Sequence, residues 1–182
     1  MSEIRSAAIP DRDPRAAANA STGRPHWTVF LGIAGVVAAL DQMTKAWLTS
    51  FLAPGESVEV LGDWIRLVHA QNNGGLFGLL RGQALAFGVV SIVVVVLIIA
   101  YHWRAGANRY LSITLGLLLG GAIGNLIDRL RLNHVVDFVD AGIGDFRWYT
   151  FNVADAGISF AILLLLAASV WPAVARRAAG DG

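Results

Sequence analysis

Four long apolar runs dominate the chain, and short polar clusters separate them. The runs cover about Trp27–Leu48, Ala84–Ala100, Tyr110–Ile127 and Ala156–Ala175. Each approaches the ~20 residues that a helix needs to cross a hydrocarbon core of ~30 Å. Trp27, Trp103, Tyr110 and Trp171 lie near run ends, where interfacial aromatic residues are typical. The pattern predicts four transmembrane helices with both termini on the same side.

The segment between the first two runs, residues 49–82, is too long for a simple connector. Ser57–Val60 and Trp64–Val68 are rich in β-branched residues and flank the turn-forming pair Gly62-Asp63. This favours a small sheet on the membrane surface, although a simple packing face would explain the same apolar residues. Residues 130–150, between the third and fourth runs, are interpreted as a loop that brings Asp137 to the same surface.

The composition is typical of a membrane protein and excludes several kinds of binding and catalytic site. Of the 182 residues, 55% are hydrophobic and 15% charged, and the mean hydropathy is +0.58. The net charge of +1 and the lack of a basic run with interleaved aromatics give no indication of nucleic-acid binding. The chain has no cysteine, which excludes disulfides, thiol nucleophiles and cysteine metal sites.

Arginine placement indicates the orientation. The N-terminal segment, the connection between spans 2 and 3 and the C-terminus are all arginine-bearing, which favours cytoplasmic termini and polar clusters on the outside. We therefore expect a disordered cytoplasmic tail at residues 1–25, a membrane domain at 26–176 and a cytoplasmic tail at 177–182. Within the domain the expected spans are about 27–48, 84–102, 110–128 and 155–175, with a β region at about 55–72.

The stretch Gly120–Arg129 is the most informative part of the chain, because it ends an apolar run with an amide, an acid and a base. On a helix, Asn125, Asp128 and Arg129 share one face. The preceding glycines allow a neighbouring backbone to come close. Charges at the end of a span are costly and persist mainly where they pair or do chemistry. We expect this cluster to meet three others in space: Asp41 to Lys45, Asn72 to Phe77, and Asp137 to Asp155.

Each polar cluster also has a simpler interpretation. Asp41 and Lys45 could be an i,i+4 ion pair at the interface, and Asn72-Asn73-Gly74-Gly75 could be only a turn. Asp128 and Arg129 could form a structural salt bridge. Asp155 could be the N-cap of the last helix.

Asp137 and Asp155 indicate a possible acid–base pair. Asp137 lies in the apolar stretch Val135–Phe138, and Asp155 begins the last apolar run. Two carboxylates held close at a low-dielectric boundary cannot easily ionise together, so one keeps a proton. Such a pair supplies an acid and a base and titrates as a unit. Their proximity is a hypothesis, because they come from different segments.

Other chemistries have less support. The four histidines are scattered, no HExxH motif occurs, and no metal or cofactor is expected. Ser159 has no nucleophile elbow or lysine partner. Gly142–Asp145 spells GxGD, a motif of another class of intramembrane protease, but it falls in a polar loop and is interpreted as coincidence.

Taken in order, the clusters resemble the bacterial lipoprotein signal peptidases (signal peptidase II, aspartyl peptidase family A8). The family pattern reads D-x-x-T-K, N-x-G-x-x-F, G-G-A-x-G-N-x-x-D-R, V-V-D-F and F-N-x-A-D. The matching segments here are Asp41–Lys45, Asn72–Phe77, Gly120–Arg129, Val135–Phe138 and Phe151–Asp155. The resemblance covers about residues 27–175. It departs from the family at Gly75 and Leu76, where two alanines are usual, and at Ala161, where glycine is usual.

The resemblance implies a mainly α membrane protein, a four-transmembrane-helix bundle with a small extracytoplasmic β-cradle between spans 1 and 2. It implies an aspartyl endopeptidase that cuts prolipoproteins on the amino side of a diacylglyceryl-modified cysteine. By motif match the catalytic pair is Asp137 and Asp155, and the neighbouring Arg129 favours a supporting role for Asp128. The implied supporting or substrate-binding residues are Asp41, Lys45, Asn72, Gly74, Asn125, Asp128, Arg129, Asn152 and Ala154.

The implied partners are diacylglyceryl-modified prolipoproteins and membrane lipid, with no nucleic acid and with a monomeric enzyme. The implied location is the bacterial cytoplasmic (inner) membrane, with the active site near its extracytoplasmic face. The alternative from another class is a four-span transporter or channel subunit, in which membrane-edge carboxylates serve an ion path. That alternative predicts internal repeats or helices broken at midplane, and the sequence shows neither.

Overall fold

The computed structural model describes residues 24–74, 84–105 and 107–171. Its long helices are α1 (Trp27–Thr49), α2 (Ala84–Arg104), α3 (Arg109–Leu132) and α4 (Val153–Val170). All four are long and apolar enough to cross a membrane. The predicted fold class, a bundle of four membrane-length helices with a small sheet, is confirmed. The expected N-terminal tail up to residue 23, Gly75, Leu76, Phe77 and the C-terminal tail lie outside the described residues.

α3 is the central helix of the bundle. It is more than half buried, whereas the other three expose most of their surface. A Cβ added to Gly120 would come within 2.7 Å of the Ala34 carbonyl oxygen on α1, and one added to Gly121 would collide with the Ala154 carbonyl oxygen on α4. The glycines therefore allow α1 and α4 to pack directly against the backbone of α3.

α1 presents one buried stripe to its neighbours. Its buried residues recur every three or four positions: Phe30, Ala34, Val37, Asp41, Lys45 and Leu48. This spacing places them on one helix face. The stripe is apolar in its first half and carries two charged side chains into the interior near its end.

The sheet has four antiparallel strands in chain order. They are β1 (Ser57–Leu61), β2 (Ile65–Asn72), β3 (Val135–Ile143) and β4 (Phe146–Arg147). The predicted hairpin of β1 and β2 is present, and Gly62 in its turn has a φ of +50°. Residues 130–150 were interpreted only as a loop, and that interpretation is wrong for β3 and β4. Long-range pairing with β2 makes β3 a strand, although Asp137 and Asp140 interrupt its apolar pattern.

The sheet is fixed to one end of the bundle, which we call the sheet end. Leu48, in the last turn of α1, and Leu52, just after the helix, pack in a buried cluster with Val136 and Phe138 of β3. α3 stops at Leu132 because Asn133 takes a left-handed conformation, with a φ of 60°, and turns the chain into β3. The β2–β3 register then sets Ala70 opposite Asp137 and Asn72 opposite Val135. Two of the predicted site residues are thus carried by adjacent strands.

Candidate active site

The polar residues singled out in the sequence converge at the sheet end. They come from five elements: α1 (Asp41, Lys45), β2 (Asn72), α3 (Asn125, Asp128, Arg129), β3 (Asp137) and the start of α4 (Asn152, Ala154, Asp155). Gly74 follows β2 directly. Two groups of carboxylates can be distinguished by their partners.

The first group is the lysine cluster, formed by Asp41, Lys45 and Asp128. Lys45 Nζ lies 2.7 Å from Asp41 Oδ2 and 2.8 Å from Asp128 Oδ2, and no side chain of the three is more than 4% exposed. The simpler interpretation of Asp41 and Lys45 as an i,i+4 pair is therefore incomplete, since Lys45 also joins α1 to α3. Buried charges of this kind persist only when they are paired.

Both carboxylates of the lysine cluster also accept a backbone hydrogen bond. Asp41 Oδ1 accepts from the N–H of Ala154 at 2.9 Å, and Asp128 Oδ2 accepts from the N–H of Val136 at 3.1 Å. Ala154 directly precedes Asp155, and Val136 directly precedes Asp137. The lysine cluster thus fixes the backbone beside each of the two remaining aspartates.

Gln42 belongs to this region, and the sequence analysis missed it. Its Nε2 donates to Asp128 Oδ1 at 2.8 Å and to the carbonyl oxygen of Gly124 at 3.2 Å. The available signal was a polar amide inside an apolar span, three residues before Lys45 and hence on nearly the same helix face.

The second group is the aspartate pair, Asp137 and Asp155, whose carboxylates are held by amides. Asp137 Oδ1 accepts from Asn152 Nδ2 at 2.7 Å, and its Oδ2 accepts from Asn72 Nδ2 at 3.0 Å. Asp155 Oδ1 accepts from Asn125 Nδ2 at 2.8 Å. Within the described ranges neither aspartate forms an ion pair with a lysine or arginine. Among the described residues, the aspartate pair is therefore held by hydrogen-bond donors and by no directly bonded cation.

Asn152 joins the two aspartates through the start of α4. It is the N-cap: its side chain accepts from the N–H of Asp155 at 2.9 Å, while Asp155 Oδ2 accepts from the N–H of Asn152 at 3.3 Å. This reciprocal capping box satisfies two donors of the first helical turn. The simpler interpretation of Asp155 as the N-cap is wrong, because Asn152 has that position.

Asn125 connects the aspartate pair to the lysine cluster. Its Oδ1 accepts from Lys45 Nζ and from Asn152 Nδ2, both at 3.2 Å, while its Nδ2 donates to Asp155. One continuous hydrogen-bond network therefore runs from the buried ammonium group to both aspartates. Networks of this kind polarise their members and hold them rigidly away from water.

The electrostatic setting of Asp137 favours its protonated form. Burial, first, and the negative charge of Asp155, second, raise the pKa of Asp137 to about 7 from its ordinary value of 3.8. The hydrogen bonds from Asn72 and Asn152 and the charge of Lys45 act in the opposite direction. Near neutral pH, Asp137 can therefore both take up and release a proton, which is what acid–base chemistry requires.

A cavity of about 270 Å³ opens beside the aspartate pair. Its polar end is lined by Asn72, Asn125, Arg129, Asp137, Tyr149 and Asp155. Its apolar wall comes mainly from α2 and α4: Phe87, Val90, Val94, Ile158 and Ile162. The cavity thus joins a pair of titratable carboxyl groups to an apolar surface between two membrane-length helices.

Arg129 lies at the border between the two parts of the cavity. Its Nη1 donates to the carbonyl oxygen of Asn125 at 3.3 Å, and its guanidinium lies 5.8 Å from the centre of the Phe87 ring. The proposed salt bridge between Asp128 and Arg129 is not formed among the described residues, since Asp128 pairs with Lys45. Arg129 instead directs a positive charge towards the cavity.

Tyr149 was also missed by the sequence analysis. Its hydroxyl accepts a hydrogen bond from Asn72 Nδ2 at 2.7 Å. The same Asn72 accepts from the N–H of Gly74 at 3.1 Å through its Oδ1. A tyrosine just ahead of the F-N-x-A-D segment was the only signal, and aromatic residues are too common there to single it out.

Of the other candidates considered in the sequence, Ser159 lines the cavity, whereas the histidines and the GxGD segment do not. His69 and His102 are buried, and they contact the carbonyl oxygen of Leu52 and the hydroxyl of Ser112. Residues 142–145, the GxGD sequence, form the β3–β4 hairpin and not part of a membrane helix. In the part of the chain that the structure describes, no group of three His, Asp or Glu residues is arranged to hold a metal ion.

Comparison with known proteins places this geometry in a family. The family model described as signal peptidase (SPase) II, Peptidase_A8, matches residues 33–171. A lipoprotein signal peptidase of Moorella thermoacetica is 40% identical over 137 residues, which cover 75% of this chain and 89% of that protein. One of Oleidesulfovibrio alaskensis is 42% identical over 140 residues, covering 74% and 90%.

Solved structures agree with the sequence match. A bacterial membrane enzyme determined at 2.3 Å resolution superposes with a TM-score of 0.75 and 29% sequence identity, over 82% of this chain and 92% of that one. The backbone described above is therefore shared along most of its length with an enzyme that resides in a membrane. The chain belongs to the signal peptidase II family and is a membrane peptidase.

Proposed function

We propose that this protein is an aspartyl endopeptidase that removes the signal peptide from prolipoproteins, cutting on the amino side of a diacylglyceryl-modified cysteine. Family membership and relatives named lipoprotein signal peptidase support the reaction class and the substrate. The observation that carries the proposal is the aspartate pair, held by amides at the polar end of the cavity. The raised pKa of Asp137 fits a pair that shares one proton near neutral pH.

The proposed reaction uses the two carboxyl groups in opposite protonation states. The ionised aspartate takes a proton from water as the water oxygen bonds to the scissile carbonyl carbon. The protonated aspartate donates a hydrogen bond to the carbonyl oxygen, where negative charge develops. The tetrahedral intermediate then collapses, the C–N bond breaks, and the leaving amine receives a proton from the pair.

The surrounding residues position the pair. Asn125 and Asn152 orient the two carboxyl groups, and Asn72 binds Asp137 from the strand side. Ala154 contributes its backbone N–H to Asp41, and Gly74 contributes its own to Asn72. The lysine cluster keeps both chain segments at a fixed separation. Arg129 is positioned to hold the substrate backbone by hydrogen bonds inside the cavity.

The apolar wall of the cavity suits a lipidated substrate. Side chains of α2 and α4 would accept the signal helix and the acyl chains, whose burial contributes ~0.8 kcal/mol per CH₂ group. Such a substrate is selected by its depth in the membrane as well as by its sequence. We propose a monomer in the bacterial cytoplasmic membrane, with cytoplasmic termini and the sheet end on the extracytoplasmic side.

The test compares cleavage of a prolipoprotein with and without its diacylglyceryl group by the purified protein in lipid vesicles. Asp137→Asn and Asp155→Asn should each lower kcat by about 10²–10⁴-fold, the usual contribution of general acid–base catalysis. Asp145→Asn, an exposed aspartate in the β3–β4 turn, is the matched control and should cleave normally. Thermal unfolding checks that every variant is folded.

Three results would contradict the proposal. Retained activity in folded Asp137→Asn, with loss in folded Asp128→Asn, would move the acid–base role to Asp128. Equal cleavage of the unlipidated substrate would remove the lipid requirement. No cleavage of either substrate by folded wild-type protein would contradict the proposed prolipoprotein substrate.

A further inference from the structure

The side-chain amide of Asn72 is held from three directions. Its Oδ1 accepts from the N–H of Gly74 at 3.1 Å. Its Nδ2 donates to Asp137 Oδ2 at 3.0 Å and to the Tyr149 hydroxyl at 2.7 Å. An amide nitrogen carries two hydrogens, so both are used, one on a carboxylate of the aspartate pair and one on a phenol.

We propose that Tyr149 is a positioning residue of the active site, which acts by fixing the amide of Asn72 in the orientation that binds Asp137. The terminal torsion of an asparagine is soft and roughly two-fold. Without a second anchor the amide can turn and present its oxygen to the carboxylate. The Gly74 N–H anchors the oxygen side and the Tyr149 hydroxyl anchors the nitrogen side. The inference rests on the proposed function, since it assigns a role relative to the aspartate pair.

The location of Tyr149 suits this role. It stands on the segment between β4 and α4, and it lines the polar end of the cavity with Asn72 and Asp137. The three residues come from three separate segments. The Tyr149 hydroxyl therefore connects the approach to α4 with Asn72 on β2 and, through Asn72, with Asp137 on β3.

Tyr149 affects the protonation of Asp137 indirectly, by keeping the hydrogen bond from Asn72 to the Asp137 carboxylate in place. A hydrogen bond donated to a carboxylate favours its ionised form. The charged groups that face Asp137 are Asp155 from α4, Lys45 from α1 and Arg129 from α3. Asn152 donates the other hydrogen bond. Loosening the Asn72 amide removes one of the few stabilising partners and moves the aspartate pair towards its more protonated forms.

The experiment uses Tyr149→Phe, which removes one oxygen atom and keeps the ring. In the vesicle assay with lipidated prolipoprotein, kcat should fall about threefold to tenfold while KM changes by less than about twofold. Both limbs of the pH–kcat profile should move to higher pH by roughly half a unit, the size expected when one hydrogen bond to a carboxylate is weakened. A purely structural role would lower the amount of folded enzyme and leave the profile in place.

Tyr110→Phe is the matched control. The Tyr110 hydroxyl donates to the carbonyl oxygen of Leu164 at 2.6 Å, between α3 and α4. It does not line the cavity. The same atom is thus removed from a helix contact, and the pH profile of this variant should match that of the wild type.

A double-substitution cycle with Asn72→Ala tests whether Tyr149 acts through Asn72. If it does, Tyr149→Phe has no further effect on kcat or on the profile once Asn72 is replaced. Independent, multiplicative effects would overturn the inference and indicate direct contact between Tyr149 and substrate. An unshifted profile in active, folded Tyr149→Phe would also overturn it and leave the proposed function intact. Inactive wild-type enzyme would instead contradict the proposed function itself.

Discussion

The lysine cluster and the aspartate pair each contain two aspartates at the same end of the same bundle, yet their settings are opposite. Asp41 and Asp128 share the ammonium group of Lys45 at 2.7 and 2.8 Å. Asp137 and Asp155 have amide donors and no directly bonded lysine or arginine among the described residues. The first pair shares one cation and holds the backbone beside the second pair, whereas the second pair is held by neutral amide donors.

The difference shows how a membrane enzyme can keep four carboxyl groups together. A buried carboxylate that is bonded to a cation serves as a structural element, because removing either partner leaves an uncompensated charge. A buried carboxyl group with only neutral donors has a perturbed pKa, and such groups concentrate at functional sites. Asn125 joins the two settings, because it accepts from Lys45 and donates to Asp155.

The largest effect on stability is expected from Lys45→Met. Removing the ammonium group leaves Asp41 and Asp128 buried and facing each other without compensation. The free energy of unfolding should fall by about 3–5 kcal/mol, the usual cost of breaking a buried ion pair from one side. Denaturant unfolding in detergent micelles measures this change.

Neutralising the whole lysine cluster provides the control. The triple variant Asp41→Asn, Lys45→Met, Asp128→Asn should recover part of the lost stability, since no uncompensated charge remains. If Lys45→Met is as stable as the wild type but inactive, the lysine cluster is not mainly structural. Lys45 then acts on the aspartate pair directly.

A smaller effect is expected in the pH dependence of stability. The folded-state pKa of Asp137, about 7, lies above its ordinary value of 3.8, so the folded protein binds this proton more tightly. Its contribution to stability is full below about pH 3.8 and is lost as pH rises through about 7. The free energy of unfolding of Asp137→Asn, measured relative to that of the wild type, should therefore rise by about 2 kcal/mol between pH 5 and pH 7.5.

Parallel unfolding series on the wild type and Asp137→Asn would measure this trend. Asp145→Asn, whose side chain is exposed, should show no such change against the wild type. A constant difference between Asp137→Asn and the wild type across pH would contradict the electrostatic setting assigned to the aspartate pair.

The smallest of these effects is expected from Gly124→Ala. The added Cβ would lie 2.6 Å from Asp41 Oδ2, so the carboxylate or the helix must shift. Overpacking of this kind should cost about 1–2 kcal/mol of unfolding free energy. Gly35→Ala on α1 is the matched control, because a Cβ there meets nothing within 4 Å. Equal stability of the two variants would show that Asp41 has room to move.

Much of this arrangement could be predicted from the sequence because membranes impose simple rules. Runs of about twenty apolar residues gave the helices, and the small residues at Gly120 and Gly121 indicated close helix packing. Polar residues at the ends of such runs are costly, so Asp41, Asn125 and Asp155 were visible as candidates. Their roles remain predictions until the variants are measured.

The remaining features of the fold and the site could not be predicted, because they depend on pairing between segments that are distant in the sequence. β3 is a strand because it pairs with β2, more than 60 residues earlier in the chain, and its local pattern alone did not indicate one. The partner of Asp128 is Lys45, on another helix, and not its sequence neighbour Arg129. Gln42 gave only a weak local signal, an amide inside an apolar span, and Tyr149 only its position ahead of the last motif, so their contacts were needed to identify them.

The capping box of α4 has a consequence for how the enzyme could be switched off. Asn152 and Asp155 form the first turn of the helix with the same two side chains that take part in the network around the aspartate pair. Fraying of this single turn would separate the two carboxyl groups while most of the bundle stays intact. Such openings cost far less than global unfolding. Under the proposed mechanism, a molecule that binds the frayed turn would therefore inhibit the protein without resembling its substrate.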